Sequence, residues 1–368
     1  MGDKIKLLFS IVLVSIAVAL TYFVFEYAVH HSITYIWDTL FDSATNRYLV
    51  VPLSIVGALI FFGLQHYLDP KSENKEEHSL GGDPINPTIR NFAVILFIGY
   101  FSLVVGASLG PEAVLVPACT LIGTFVGVKL FKNNKLATKA LVAASIMALF
   151  TAFFHSYVVG ILSVLLVTKI ANTKPNAQLM VLAVISSFSS YLVLNVIDPE
   201  NKYFNFPTFS WKVLLIDLVV GVGLVIFGYL STYALKYAHS FFAGLRADAR
   251  FKAWWQLAII AGLVLSMFYL IGGPLVEFTG NQSIAPLISQ APSLGIAGVL
   301  VILIVKILVI AWSKAMGYRG GLIFPMVFVA ASLVAVAQLL FSDVNFGVGM
   351  IAALVGIFMA ESKAHVLL

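Results

Sequence analysis

The chain is a succession of apolar runs too long and too continuous for a soluble core. They lie at about 7–29, 49–68, 91–107, 110–131, 139–168, 177–197, 212–238, 255–272, 295–316, 322–341 and 346–360. About twenty such residues in a helix span the hydrocarbon of a bilayer. The 368 residues are 60% hydrophobic and only 11% charged, with a mean hydropathy of +0.99. The pattern predicts an all-α, polytopic integral membrane protein. A membrane β-barrel would show short alternating segments instead. Several runs are short and separated only by glycine or proline, so we expect roughly ten to twelve helical pieces and fewer clean spans.

The first run follows Lys4 and Lys6, is too long for a signal-peptide core and ends without a small-residue cleavage site, so it reads as a retained helix. Positive loops suggest orientation. Lys129, Lys132, Lys135 and Lys139 form one cytoplasmic loop; Lys236, Arg246, Arg250 and Lys252 form another. The segments 198–210 and 273–294 read as external loops, and 69–79 as an aqueous one. Residues 33–48 fit either a short interfacial helix or a connecting loop. Asn281-Gln282-Ser283 fits a glycosylation acceptor, a pattern common by chance. The net charge of +5 sits between apolar runs and concerns topology; no basic, aromatic-rich cluster suggests nucleic acid. Cys119 is the sole cysteine, which excludes disulfides and cysteine-based metal sites. No metal or cofactor is expected.

Two glycine-rich breaks carry the functional signal. One is Gly106-Ala107-Ser108-Leu109-Gly110-Pro111-Glu112. The other is Gly317-Tyr318-Arg319-Gly320-Gly321-Leu322-Ile323-Phe324-Pro325. A helix beginning within the bilayer turns its free N–H groups and positive dipole end toward whatever sits there. Paired broken segments in two halves of a membrane protein point to a transport site. Pro111 suits a first helical turn, and Ser108 offers a hydroxyl. Glu112 would cap the helix or serve as a gating or proton-linked acid. Lys306 would line a vestibule or snorkel to an interface. Gly106 to Gly110 also fits G-x-S-x-G, the elbow of serine hydrolases. That elbow needs a preceding strand, whereas a helix is expected here. His155, the histidine well inside an apolar run, has no acid near it in sequence; it reads as a packing or pore-facing residue.

These residues together resemble the CLC family of chloride channels and chloride/proton antiporters. Ala107-Ser108-Leu109-Gly110-Pro111 is similar to the family's G-[KR]-E-G-P helix start. Gly320-Gly321-Leu322-Ile323-Phe324-Pro325 is similar to its G-[IVL]-F-x-P start. Lys306 and Trp312 match a K-x5-W spacing ahead of the latter. The resemblance implies an inverted-repeat fold of broken helices, with repeat one at about 49–197 and repeat two at about 212–368; against the family pattern, the second repeat is expected to be incomplete and no cytoplasmic regulatory domain is expected. It implies a homodimer with one pathway per subunit for chloride or a similar small anion, and the expected location is a bacterial plasma membrane. Ser108, Leu109, Gly110, Gly321, Leu322, Ile323 and Phe324 would bind the anion.

The chain also departs from the family. Leu109 stands at the gating glutamate. Leu166 and Val167, after Gly160-Ile161-Leu162-Ser163, replace the inner acid. Leu80-Gly81-Gly82-Asp83-Pro84 lacks the family's serine, leaving Ser79 or Ser108 as substitutes. The last helices, with their tyrosine, have no counterpart before Leu368. The expected activity is therefore passive, channel-like and insensitive to pH between about 4 and 7, where a carboxylate titrates. The alternatives are an anion/proton antiporter using Glu112 and an intramembrane serine hydrolase centred on Ser108.

Overall fold

A computed structural model describes residues 2–42, 45–69, 87–132, 134–170, 174–199, 204, 206–207, 213–249, 251 and 253–364. Ser79 and the segment Leu80–Pro84 lie outside them. The helices are α1 (Gly2–Ile33), α2 (Val50–Leu68), α3 (Ile89–Val104), α4 (Glu112–Phe131), α5 (Lys135–Phe154), α6 (Tyr157–Leu162), α7 (Val164–Ile170), α8 (Ala177–Ile197), α9 (Leu215–Asp248), α10 (Trp254–Gly272), α11 (Ile284–Met316), α12 (Ile323–Leu340) and α13 (Phe346–Ala364). Among the described residues, nine helical segments are long and apolar enough to cross a membrane. Helix dominates because a chain in lipid must satisfy its own backbone groups.

The chain forms two compact units, interleaved in sequence. The first comprises Met1–His31, Asn74–Tyr100 and Ala113–Tyr203; the second comprises Ser32–Glu73, Phe101–Glu112 and Phe204–Leu368. In the first unit, Asn134 and Asn176 accept from Ala137 N–H and Leu179 N–H and so cap α5 and α8. This answers orphan donors at each start. The run expected at 139–168 is in fact broken. α5 ends where His155 takes a left-handed conformation, φ 46°. Its N–H meets Ala152 C=O while Ser156 N–H meets Thr151 C=O. This is a Schellman cap with histidine in the usual glycine place, so His155 has a structural task at a helix end. Gly160 then lets α6 press on its neighbours: an added Cβ would lie 1.8 Å from Thr151 Oγ1.

The second unit uses glycine in the same way. A Cβ on Gly262 would lie 2.5 Å from Ser54 O, and one on Gly356 would lie 2.0 Å from Val225 O. Close backbone approach of this kind joins α10 to α2 and α13 to α9, the packing expected where no water drives association. Two sequence expectations change here. Helix α11 begins at Ile284, inside the segment read as an external loop, and is broken at Gly295 (φ 65°). Residues Thr34–Leu40 form a π-helical turn, and Trp37 is only 1% exposed. A polar-flanked segment thus supplies a core residue.

Candidate functional site at the paired helix breaks

The two breaks are built alike. Helix α3 ends at Gly106 (φ 106°) and α11 at Gly317 (φ 92°). Gly106 N–H donates to Leu103 C=O and Ala107 N–H to Ser102 C=O; Gly317 N–H donates to Lys314 C=O and Tyr318 N–H to Ser313 C=O. Both are Schellman caps, and the left-handed residue is glycine because a Cβ would be strained there. Two residues beyond each glycine, the chains exchange bonds through serines. Ser108 N–H donates to the Ser313 hydroxyl at 3.2 Å, and Arg319 N–H donates to the Ser102 hydroxyl at 2.8 Å.

Four residues beyond each glycine, Gly110 and Gly321 form an isolated antiparallel bridge. Its two N–H···O bonds measure 2.8 and 2.7 Å. Two residues further on, α4 starts at Glu112 and α12 at Ile323, 211 positions apart. The same step of 211 separates the bridged glycines, the two serines and the two capping glycines. It also relates α4 to α12 and α5 to α13.

Glu112 breaks this equivalence. Its carboxylate Oε1 accepts from Ile323 N–H at 2.8 Å and Phe324 N–H at 3.4 Å. The acid therefore sits on the open end of α12, where the helix dipole favours negative charge. Glu112 is 5% exposed, and its second oxygen, Oε2, is buried with no hydrogen-bond partner among the described residues. The bridged glycines make the room. A Cβ on Gly321 would lie 2.0 Å from Oε1, and one on Gly110 2.0 Å from Oε2.

The other residues named from sequence fall into distinct places. Ile323 and Phe324 present amides to a negative group. The amides of Ser108, Gly110 and Gly321 are committed to the partner break. The Ser108 hydroxyl donates to Phe278 C=O at 2.8 Å. Leu109 is fully buried, and its carbonyl accepts from the Thr279 hydroxyl. Leu322 is the N-cap residue of α12. Lys306 is 0% exposed. Its side-chain nitrogen donates to Val276 C=O at 3.0 Å and Phe278 C=O at 2.7 Å. A buried ammonium needs such acceptors to offset its lost hydration.

Sequence reading missed the shell around the first break. Tyr269 O–H donates to Gly106 C=O and accepts from Phe278 N–H. Trp37 Nε1–H donates to Val104 C=O, and its ring meets Phe278 edge-on. Arg47 pairs with Glu277 at 2.6 Å and also donates to Tyr269 C=O. Burial pushes the Glu277 carboxyl up to about 7, outweighing the pull of Arg47. The signal available in the sequence was the pair of G-x3-G spacings, Gly106/Gly110 and Gly317/Gly321, one repeat apart. No hydrolase elbow is formed: a helix precedes Ser108, and its hydroxyl faces a carbonyl.

The fold has solved counterparts. The structure superposes on a slow cyanobacterial Cl-/H+ antiporter with a TM-score of 0.74 at 16% identity, covering 98% of this chain and 87% of that one. A CLC-type fluoride/proton antiporter gives 0.72 at 15% identity over 99% and 88%. A eukaryotic CLC transporter gives 0.72 at 17% over 98% and 66%. In sequence, a Salmonella newport (strain SL254) protein provisionally named for ion transport, YfeO, is 35% identical over 74 residues, which is 20% of this chain and 18% of that protein. A model of the voltage gated chloride channel family matches residues 57–367, a stretch that holds both breaks, the bridged glycines and Glu112, and so the chain belongs to that family.

Proposed function

We propose that this protein moves chloride or a similar small anion across a membrane, and that Glu112 is the gate. The observation that carries the reading is the Glu112 carboxylate on the amides of Ile323 and Phe324. A carboxylate oxygen held by main-chain N–H groups marks a place where negative charge is stable without a lysine or arginine. A permeant anion would need that place, so the tethered acid must leave or lose its charge first. Leu109 cannot do this, having neither charge nor proton, but an acid one helical turn further on reaches the same amides. The position of Glu112 therefore favours a carboxylate-controlled pathway over a permanently open one. The family resemblance extends the reading to a homodimer with one pathway per subunit.

The test is chloride efflux from proteoliposomes across pH 4 to 7. Efflux should rise as pH falls, because protonation removes the charge that holds Glu112 at α12. In Glu112→Gln it should be fast and nearly independent of pH. Absence of efflux of chloride, fluoride and nitrate alike, in both proteins, would reject the reading. The second reading, exchange of anions for protons at Glu112, rests on the same contact. It predicts proton uptake against a chloride gradient, lost in Glu112→Gln; anion flux without proton movement would leave the channel-like mode.

A further inference from the structure

The first break is held by one short loop, and that loop is anchored by a buried lysine. Phe278 takes a left-handed conformation, φ 51°, a strained state for a bulky residue that persists only when its surroundings impose it. Its carbonyl accepts from two donors, Lys306 Nζ and Ser108 Oγ. Its N–H donates to the Tyr269 hydroxyl, which in turn donates to Gly106 C=O. The next residue, Thr279, donates through its hydroxyl to Leu109 C=O at 2.7 Å. Gly106, Ser108 and Leu109 are thus each tied to residues 269–279. Lys306 Nζ also lies 5.1 Å from the centre of the Phe328 ring on α12. Glycine is favoured at 280 by its left-handed conformation, φ 84°, and a Cβ there would lie 3.0 Å from both Nζ and the Phe328 ring.

We propose that Lys306 and Thr279 are positioning residues for the anion site. Through the 276–279 loop they fix the first break, and so hold Gly110 against Gly321 and Glu112 over the start of α12. Lys306 acts here through Phe278 C=O rather than by drawing anions with its charge. The proposal rests on the transport reading above for its meaning, but the clamp has a readout of its own.

The experiment compares the full chain with Lys306→Gln and Thr279→Val. Hydrogen exchange by mass spectrometry is measured in detergent, and the pH profile of chloride efflux in proteoliposomes. In both variants the amides of residues 105–110 should exchange faster by about tenfold, the order expected when one buried hydrogen bond is lost. Those of α8 should not change. The pH slope of efflux should flatten, because Glu112 is less well aligned. Unchanged exchange at 105–110, or equal acceleration across α8, overturns the proposal. If Lys306→Gln does not fold, Thr279→Val decides alone, since it removes one hydroxyl and no charge. If the unaltered protein carries no anion, the transport reading fails while the exchange result still decides the clamp.

Discussion

The two glycine breaks share one skeleton and differ in what they hold. Each has a Schellman glycine, a serine bond to its partner and a bridging glycine four residues on. The first break is then gripped by Tyr269, Phe278, Thr279 and Trp37, and it supplies Glu112. The second is gripped further out. Tyr318 stacks on Phe61, Arg246 donates to Ala315 C=O and Arg319 pairs with Asp69. Its helix start is left to receive charge. Repetition therefore yields a symmetric frame, and the site arises where the sequence departs from symmetry: an acid at 112 faces an isoleucine amide at 323.

The largest effect should come from forcing the frame apart. A Cβ on Gly320 would lie 2.4 Å from Leu109 Cβ and 3.0 Å from Gly110 O, with backbone on one side and nothing flexible to yield. Gly320→Val should lower stability by about 3 kcal/mol, the upper end for overpacking, and abolish flux. Gly223→Ala on α9, where a Cβ meets nothing within 4 Å, is the control and should be neutral or slightly stabilising in detergent melts. Normal flux in Gly320→Val would show that the breaks need not touch.

Next comes the asymmetry itself. Gly321→Ala places a methyl 2.0 Å from Glu112 Oε1 and should expel the carboxylate from α12. Its efflux should lose most of its pH dependence, as in Glu112→Gln. A steep pH slope retained in Gly321→Ala would mean that the acid works from elsewhere.

A smaller effect belongs to the outer grip on the first break. The Glu277 carboxyl is raised from the ordinary 4.5 to about 7 by burial, so the folded state binds its proton more tightly than the unfolded one. Stability from this group is full below about 4.5 and is lost as pH rises through about 7, amounting to roughly 1–3 kcal/mol. Melting temperature should fall across that window and fall less in Glu277→Gln. An identical slope in both would show Glu277 fully ionised against Arg47 throughout. The smallest effect is expected at the second break: Asp69→Asn removes a partly exposed pair at 3.2 Å and should cost under about 1 kcal/mol in a thermal melt.

Much of this frame was legible in the chain. Long apolar runs dictate membrane helices because lipid leaves the backbone no other partner. Gly106 and Gly317 announce helix ends, and Gly110-Pro111 and Gly321 announce the next starts. The 211-residue register was also present, in the paired G-x3-G spacings, and it relates the starts of α4 and α12 and those of α5 and α13. His155 was legible only as a polar residue in lipid; its backbone task shows in its φ and in the cap's two hydrogen bonds.

Sequence by itself determined the helical class and the two glycine breaks at which helices stop and start again. These follow from local rules of backbone hydrogen bonding and hydropathy, which act within a few residues. Tertiary structure decided which amides the glycine bridge takes up, that Lys306 holds carbonyls, and that Glu112 rests on α12. Those outcomes depend on contacts between residues as much as 212 positions apart. At that range only the close approach of two glycines, with no side chain between them, determines what an acid can reach.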